Sequence, residues 1–255
     1  MKQYFQFSLK SVFRVPVSVF FTLVFPVMMM FVMMETTAEG GVSGGWPTIS
    51  RCFPVVLAYG LLPLSLVTFP MAIGAGLDEG TMRRMEYFHV GFPVILASEI
   101  LANVCLGMIS IVVDVVCASL FYSLKAPAVY PGIVFFIQYI FAWVAFMFAG
   151  AFIGVVLKSS KAITAVGMVV MFATLFLCGA FVPFSRLPSA LQVVGRFFPA
   201  KWMIVDSFQS WSGVVGFDWY CLALSGVWIA VFAALTVLVY RKAHQRLRCA
   251  VRDIQ

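Results

Sequence analysis

Charge is scarce in this chain: Asp, Glu, Lys and Arg make up 11% of its 255 residues, against about 25% in an ordinary soluble domain. That places it outside the soluble class. Its two histidines, His89 and His244, stand alone, and its six cysteines show no C-x-x-C or other metal spacing. No metal site is expected, and no nucleophile–base constellation marks a catalytic residue. There is also no Gly-Lys dipeptide, so the phosphate loop G-x-x-x-x-G-K-[ST] is absent. The formal charge of +7 is dispersed among short loops, which argues against a nucleic-acid partner.

What the chain has instead is apolar length. Hydrophobic residues are 63% of it, and several runs exceed the roughly 18 residues needed to cross a hydrocarbon core about 30 Å thick. The runs are continuous and lack period-two alternation, so helices are expected rather than a barrel. The reading is an all-α polytopic membrane protein with a single transmembrane domain over residues 1–255. Six spans fall at about 15–35, 53–77, 93–123, 132–157, 162–182 and 218–240. The first run is too long for a cleavable signal peptide and lacks a small-residue cleavage site. Pro26, Pro63 and Pro70 are expected to kink spans one and two.

Orientation follows from the basic residues. With both termini cytoplasmic, 12 lie inside: Lys2, Lys10, Arg14, Arg83, Arg84, Lys158, Lys161, Arg241, Lys242, Arg246, Arg248 and Arg252. Only 5 lie outside, namely Arg51, Lys125, Arg186, Arg196 and Lys201. That asymmetry favours cytoplasmic termini. Near the start, Lys2, Gln6, Lys10 and Arg14 recur every four residues, with Phe5, Leu9, Val12 and Phe13 on another face. This is the pattern of an interfacial helix lying on the inner leaflet.

Between spans two and three sits the one concentrated charged island, residues 77–92. It holds Asp78, Glu79, Arg83, Arg84 and Glu86. Asp78 can cap a short helix. Glu79 and Arg83 pair at i,i+4, and Arg83 and Glu86 at i,i+3. Met82 and Met85, with Phe88 or His89, line one face. A short charged helix with such a face suits docking into a groove on a soluble partner.

Inside the membrane, Glu99 and Asp114 occupy span three, where an acid costs on the order of 2.5–3.5 kcal/mol on insertion scales. Each is a candidate for a pathway or buried polar role. Gly150 and Gly154 form a G-x-x-x-G in span four, which licenses close helix contact within the subunit.

A last segment, residues 183–217, precedes the final span, and its motif begins at Cys178-Gly179. It continues with Pro183, the pair Leu187-Pro188, an amphipathic stretch, and Pro199 followed by Trp202. This resembles the outer re-entrant motif of ABC type-2 transporter permeases. Their loop after span two carries acidic-Gly-Thr followed by basic and apolar residues, and Glu79-Gly80-Thr81 is similar to it. The chain departs from the family pattern in having Leu77-Asp78 before Glu79, His89 where a proline is common, and Ser98-Glu99 where a Gly-Lys pair often opens span three.

The resemblance implies a permease subunit of a bacterial ATP-binding cassette exporter in the cytoplasmic membrane, moving a drug-like or amphipathic substrate. It implies a homo- or heterodimer of permeases coupled to a separate ATPase, which binds the ATP and Mg; this chain binds no cofactor. It further implies that Glu79, Gly80, Thr81, Arg83, Arg84 and Glu86 form the ATPase-coupling loop. Gly179, Pro183, Leu187, Pro188, Pro199 and Trp202 would build the outer re-entrant element. Two alternatives stay open: an ion-coupled secondary carrier using Asp114 and Glu99, and a non-transporting membrane assembly subunit.

Overall fold

A computed structural model of the chain describes residues 19–36, 45–78, 92–157 and 159–252, with the side chains of 78, 92, 93 and 243–252 excepted. The described residues are mainly helical. Among them, five helices are long and apolar enough to cross a membrane. They are α2 (Thr48–Leu77), α3 (Phe92–Tyr122), α4 (Val129–Leu157), α5 (Ser160–Leu177) and α8 (Trp219–Arg252). A shorter apolar helix, α1 (Phe20–Thr36), precedes them. Between α5 and α8 lie a 3-10 turn at Phe184–Arg186, then α6 (Ser189–Gly195) and a broken helix α7. The pieces of α7 are Pro199–Lys201, a π turn at Trp202–Asp206, and Ser207–Trp211.

The centre of the bundle is α2. Its apolar stretch is 94% buried, against 11% for α8. It touches α1, α3, α4, α5 and α7, whereas α8 rests mainly on α4. A helix enclosed on every side can carry residues that break helices elsewhere, because its neighbours satisfy the backbone groups set free. Pro54, Pro63 and Pro70 all lie within α2. Its ladder loosens into a π turn at Leu64–Thr68. There the Leu61 carbonyl accepts from Trp143 Nε1 of α4 at 3.0 Å and from Ser65 Oγ at 3.1 Å. The same device recurs in α1, where a π turn at Phe20–Val24 precedes Pro26. Proline has no N–H to offer the Thr22 carbonyl. Ser110 Oγ of α3 takes its place at 2.5 Å.

Glycines let the neighbours come close to this exposed backbone. A Cβ on Gly150 would strike the Ser65 carbonyl oxygen, and one on Gly167 of α5 the Leu66 carbonyl oxygen. One on Gly154 would lie 2.7 Å from the Pro70 carbonyl oxygen. The Gly150–Gly154 pair therefore seats α4 on α2 within the subunit. Gly107 of α3 is likewise bare beneath the ring of Trp143.

Several helix ends depart from the ends of the apolar runs. The start of α2 lies at Thr48, five residues before its run, where Ser50 Oγ accepts from Lys125 N at 3.1 Å. The end of α5 comes at Leu177 rather than near 182. Gly179 takes φ +93°, and Ala180 N bonds back to Leu175 O at 3.0 Å, the glycine-terminated cap that closes a helix. At the other extreme α8 continues past 240 to Arg252, its added turns rich in residues of good helix propensity.

Candidate functional site

The two ends of the bundle differ in what they carry. At one end α2 stops at Leu77 and α3 starts at Phe92, bracketing the charged island. Glu79, Gly80, Thr81, Arg83, Arg84 and Glu86 lie outside the described residues, as does the amphipathic N-terminal stretch. At the opposite end, residues 45–50, the α3–α4 connection and the whole 178–218 segment come together.

The 178–218 segment folds back into the bundle instead of lying over it. Trp202, Met203, Ile204, Ser207, Ser210 and Trp211 of α7 are all buried. The Trp211 ring lies 5.0 Å from Phe135 and 5.3 Å from Phe53, so α7 is wedged between α4 and the first turns of α2. Trp202 stands 6.3 Å from Tyr139. Pro199 opens α7 at the first helical position, where its missing N–H costs nothing. Pro188 occupies the cap position of α6, and Leu187 beside it is buried. Gly179 and Pro183 line one cavity at the α5 end. The expected motif residues thus occupy one continuous structure.

One hydrogen bond ties this segment to α2, and a second ties α4 to α2 beside it. Tyr59 of α2 donates its hydroxyl to the Ala180 carbonyl at 2.9 Å, eleven residues into the helix from Thr48. Tyr139 of α4 donates to the Pro54 carbonyl at 2.7 Å. A chain of cations and rings also spans the neighbouring loops. Lys125 Nζ sits 4.6 Å over Trp46, Trp46 is edge-on to Phe208 at 6.1 Å, and Arg51 lies 5.7 Å over Phe208. Cation–π contacts of this kind are worth about 0.5–2 kcal/mol each. Further round, Gln138 accepts from Asp218 N at 2.8 Å, and Asp218 Oδ1 caps α8 by accepting from Tyr220 N and Cys221 N.

The acids of α3 have a different setting. Asp114 is 1% exposed, and neither carboxylate oxygen has a hydrogen-bond partner. Glu99 is 7% exposed. Fifteen residues, about 22 Å along a helix, separate them, so they do not meet in one site. They share a face, however, with Asn103 and Ser110, all within about 60° at 100° per residue. Asn103 and Thr22 each leave a buried oxygen without a hydrogen bond on this side of α3. Sequence reasoning singled out the two acids but not the polar row between them. Its signal was present in the four- and seven-residue steps.

A model of the ABC-2 type transporter family matches residues 1–209, a stretch holding both the charged island and α7 through Gln209. The chain belongs to the ABC-2 type transporter family. No curated protein matches it. Its family gives it a transporter's membrane domain, which is a permease and carries no catalytic centre. Among the described residues, no group of three or more His, Cys, Asp or Glu could hold a metal ion.

Proposed function

We propose that this ABC-2 chain is the permease subunit of an exporter in a bacterial cytoplasmic membrane, with both termini inside. It works as a homo- or heterodimer and is driven by a separate ATPase that holds the ATP and Mg. The family match over residues 1–209 carries the reading. The lack of a Gly-Lys pair supports placing ATP on another polypeptide.

The fold supports a route for the force. Residues 78–91 connect the C-terminus of α2 to the N-terminus of α3, so a load on Glu79–Glu86 passes first into those two helices. The enclosed helix α2 touches five others and, through Tyr59, holds the turn at Ala180. In this proposal, closure of the ATPases on Arg83 and Arg84 shifts α2. Its π turn at Leu64–Thr68 absorbs part of the movement, and the rest reaches α7. The 178–218 segment is then the outer, re-entrant gate past which a drug-like or amphipathic substrate leaves.

Co-expression with a candidate ATP-binding cassette ATPase from the same genome tests this. The two should co-purify, and reversing Arg83 and Arg84 to glutamate should abolish the association and any ATPase stimulation while leaving helicity intact. An unassociated pair, or full coupling in the reversed variant, refutes the reading.

A second reading has one observation in its favour, the buried Asp114 carboxylate without a hydrogen bond. In an ion-coupled carrier Asp114 would bind the coupling ion, with Glu99 nearer the inner side. Uptake driven by a pH or sodium gradient without ATP, and lost in Asp114→Asn, would establish it over the exporter.

A further inference from the structure

At the end of α5 the 178–218 segment lines an open cavity of about 560 Å³. Its lining combines Arg196 and Lys201 with the apolar side chains of Phe184, Ile204 and Val205. A smaller cavity of about 290 Å³ lies against the same two cations, and its wall also holds Asp206 and Asp218. No acid lines the larger one.

The acids nearby are already engaged. Asp206 is ion-paired with Lys201. Asp218 Oδ1 is taken by the amide groups that open α8. Lys201 is further oriented by the Phe184 ring, 5.6 Å from its Nζ. Arg196, exposed at the end of α6, has no acidic partner among the described residues. Its backbone is nevertheless held, because the Tyr220 hydroxyl donates to the Arg196 carbonyl at 3.2 Å. The lining therefore combines an exposed guanidinium of uncompensated charge, on a backbone held by Tyr220, with an ammonium and three apolar side chains.

We infer that this cavity binds an anionic amphiphile, with its phosphate or carboxylate head on Arg196 and Lys201 and its apolar part along Phe184, Ile204 and Val205. A guanidinium fork fits a tetrahedral or planar oxyanion with two parallel hydrogen bonds, which a lysine alone cannot do. Pairing with Asp206 keeps Lys201 in place without cancelling Arg196. Gln192 is not a head-group ligand, since its amide donates to the Leu187 carbonyl at 2.8 Å and holds α6 in register. The site stands on the cavity and goes beyond the exporter reading, whatever drives transport.

The test is isothermal titration of the full chain in phosphatidylcholine nanodiscs with a water-soluble short-chain phosphatidic acid, and separately with inorganic phosphate, subtracting empty nanodiscs. The short-chain lipid should bind saturably. Arg196→Gln should weaken it about tenfold, the lower end for one lost charge-assisted contact. Arg196→Lys should recover part of that loss. Arg186→Gln removes an equal charge from the same segment, outside the cavity lining, and should change nothing. Binding untouched by Arg196→Gln, or weakened equally by Arg186→Gln, overturns the site. Inorganic phosphate binding as tightly as the lipid overturns the role of the apolar side chains. Association with the ATPase should be unaffected in every variant, so failure here leaves the exporter proposal standing.

Discussion

Replacing Gly150 with alanine adds one methyl group where α4 meets α2. Its Cβ would fall on the Ser65 carbonyl oxygen, with the Ser65 carbon at 3.2 Å and Pro70 Cδ at 3.3 Å. The obstacle is backbone, so no side chain can rotate out of the way. The helices must separate instead, and Trp143 would be drawn off the Leu61 carbonyl as they do. Overpacking a close contact costs typically 1–3 kcal/mol. Alanine returns up to about 1 kcal/mol through its better helix propensity, and because the overlap is with backbone the cost lies at the upper end, leaving a net loss of roughly 2 kcal/mol. Gly226 of α8 supplies the control, because a Cβ there meets nothing within 4 Å. Reversible unfolding of purified protein in mixed micelles, with increasing denaturing detergent, would measure both. Gly226→Ala should be neutral or stabilising by some tenths of a kcal/mol, and Gly150→Ala clearly destabilising. Equal stability of the two variants would refute the close seating of α4 on the α2 backbone.

Two further outcomes follow from the hydrogen bonds of α2. Tyr59→Phe removes the donor to the Ala180 carbonyl and should cost about 1 kcal/mol. It should also raise the reaction rate of the adjoining buried Cys178 with a membrane-permeant maleimide; unchanged labelling would count against the tie. Trp143→Phe and Ser65→Ala each remove one of two side-chain donors to the Leu61 carbonyl, which also accepts from Leu64 N. A double-mutant cycle should show the pair losing more than the sum of the singles, because only the double variant leaves the carbonyl with the Leu64 N–H alone. Strict additivity would mean the two side chains do not share that oxygen.

Much of the architecture was legible in the chain. Continuous apolar runs gave helices in the expected order; against six expected spans, five helices among the described residues are long and apolar enough to cross a membrane, and the first run gives the shorter α1. The Cys178–Trp202 pattern of Gly, Pro, Leu-Pro and Pro-aromatic marked a distinct structure before the last span. The limits of the helices were less legible. Hydropathy carried α5 through to about 182, but Gly179 ends it at Leu177 because only a residue without a Cβ takes φ +93° without strain. The island at Glu79–Glu86 was visible as charge, although its residues lie outside the described part of the fold.

The sequence by itself determined that this is a multi-span helical membrane protein, where its charges concentrate, and which family it resembles. The tertiary structure decided which helix is the core. Mean hydropathy is 2.0 for the enclosed α2 and 2.4 for the open α8, so apolarity does not separate them. Lipid tails and packed side chains are equally apolar surroundings, and a hydropathy scale cannot tell one from the other. In the sequence Pro63 and Pro70 read only as kinks of span two, yet with Pro54 they lie in the most enclosed helix. What makes them tolerable is the donors of α4 and the bare glycines of α4 and α5, which meet α2 only when the chain has folded.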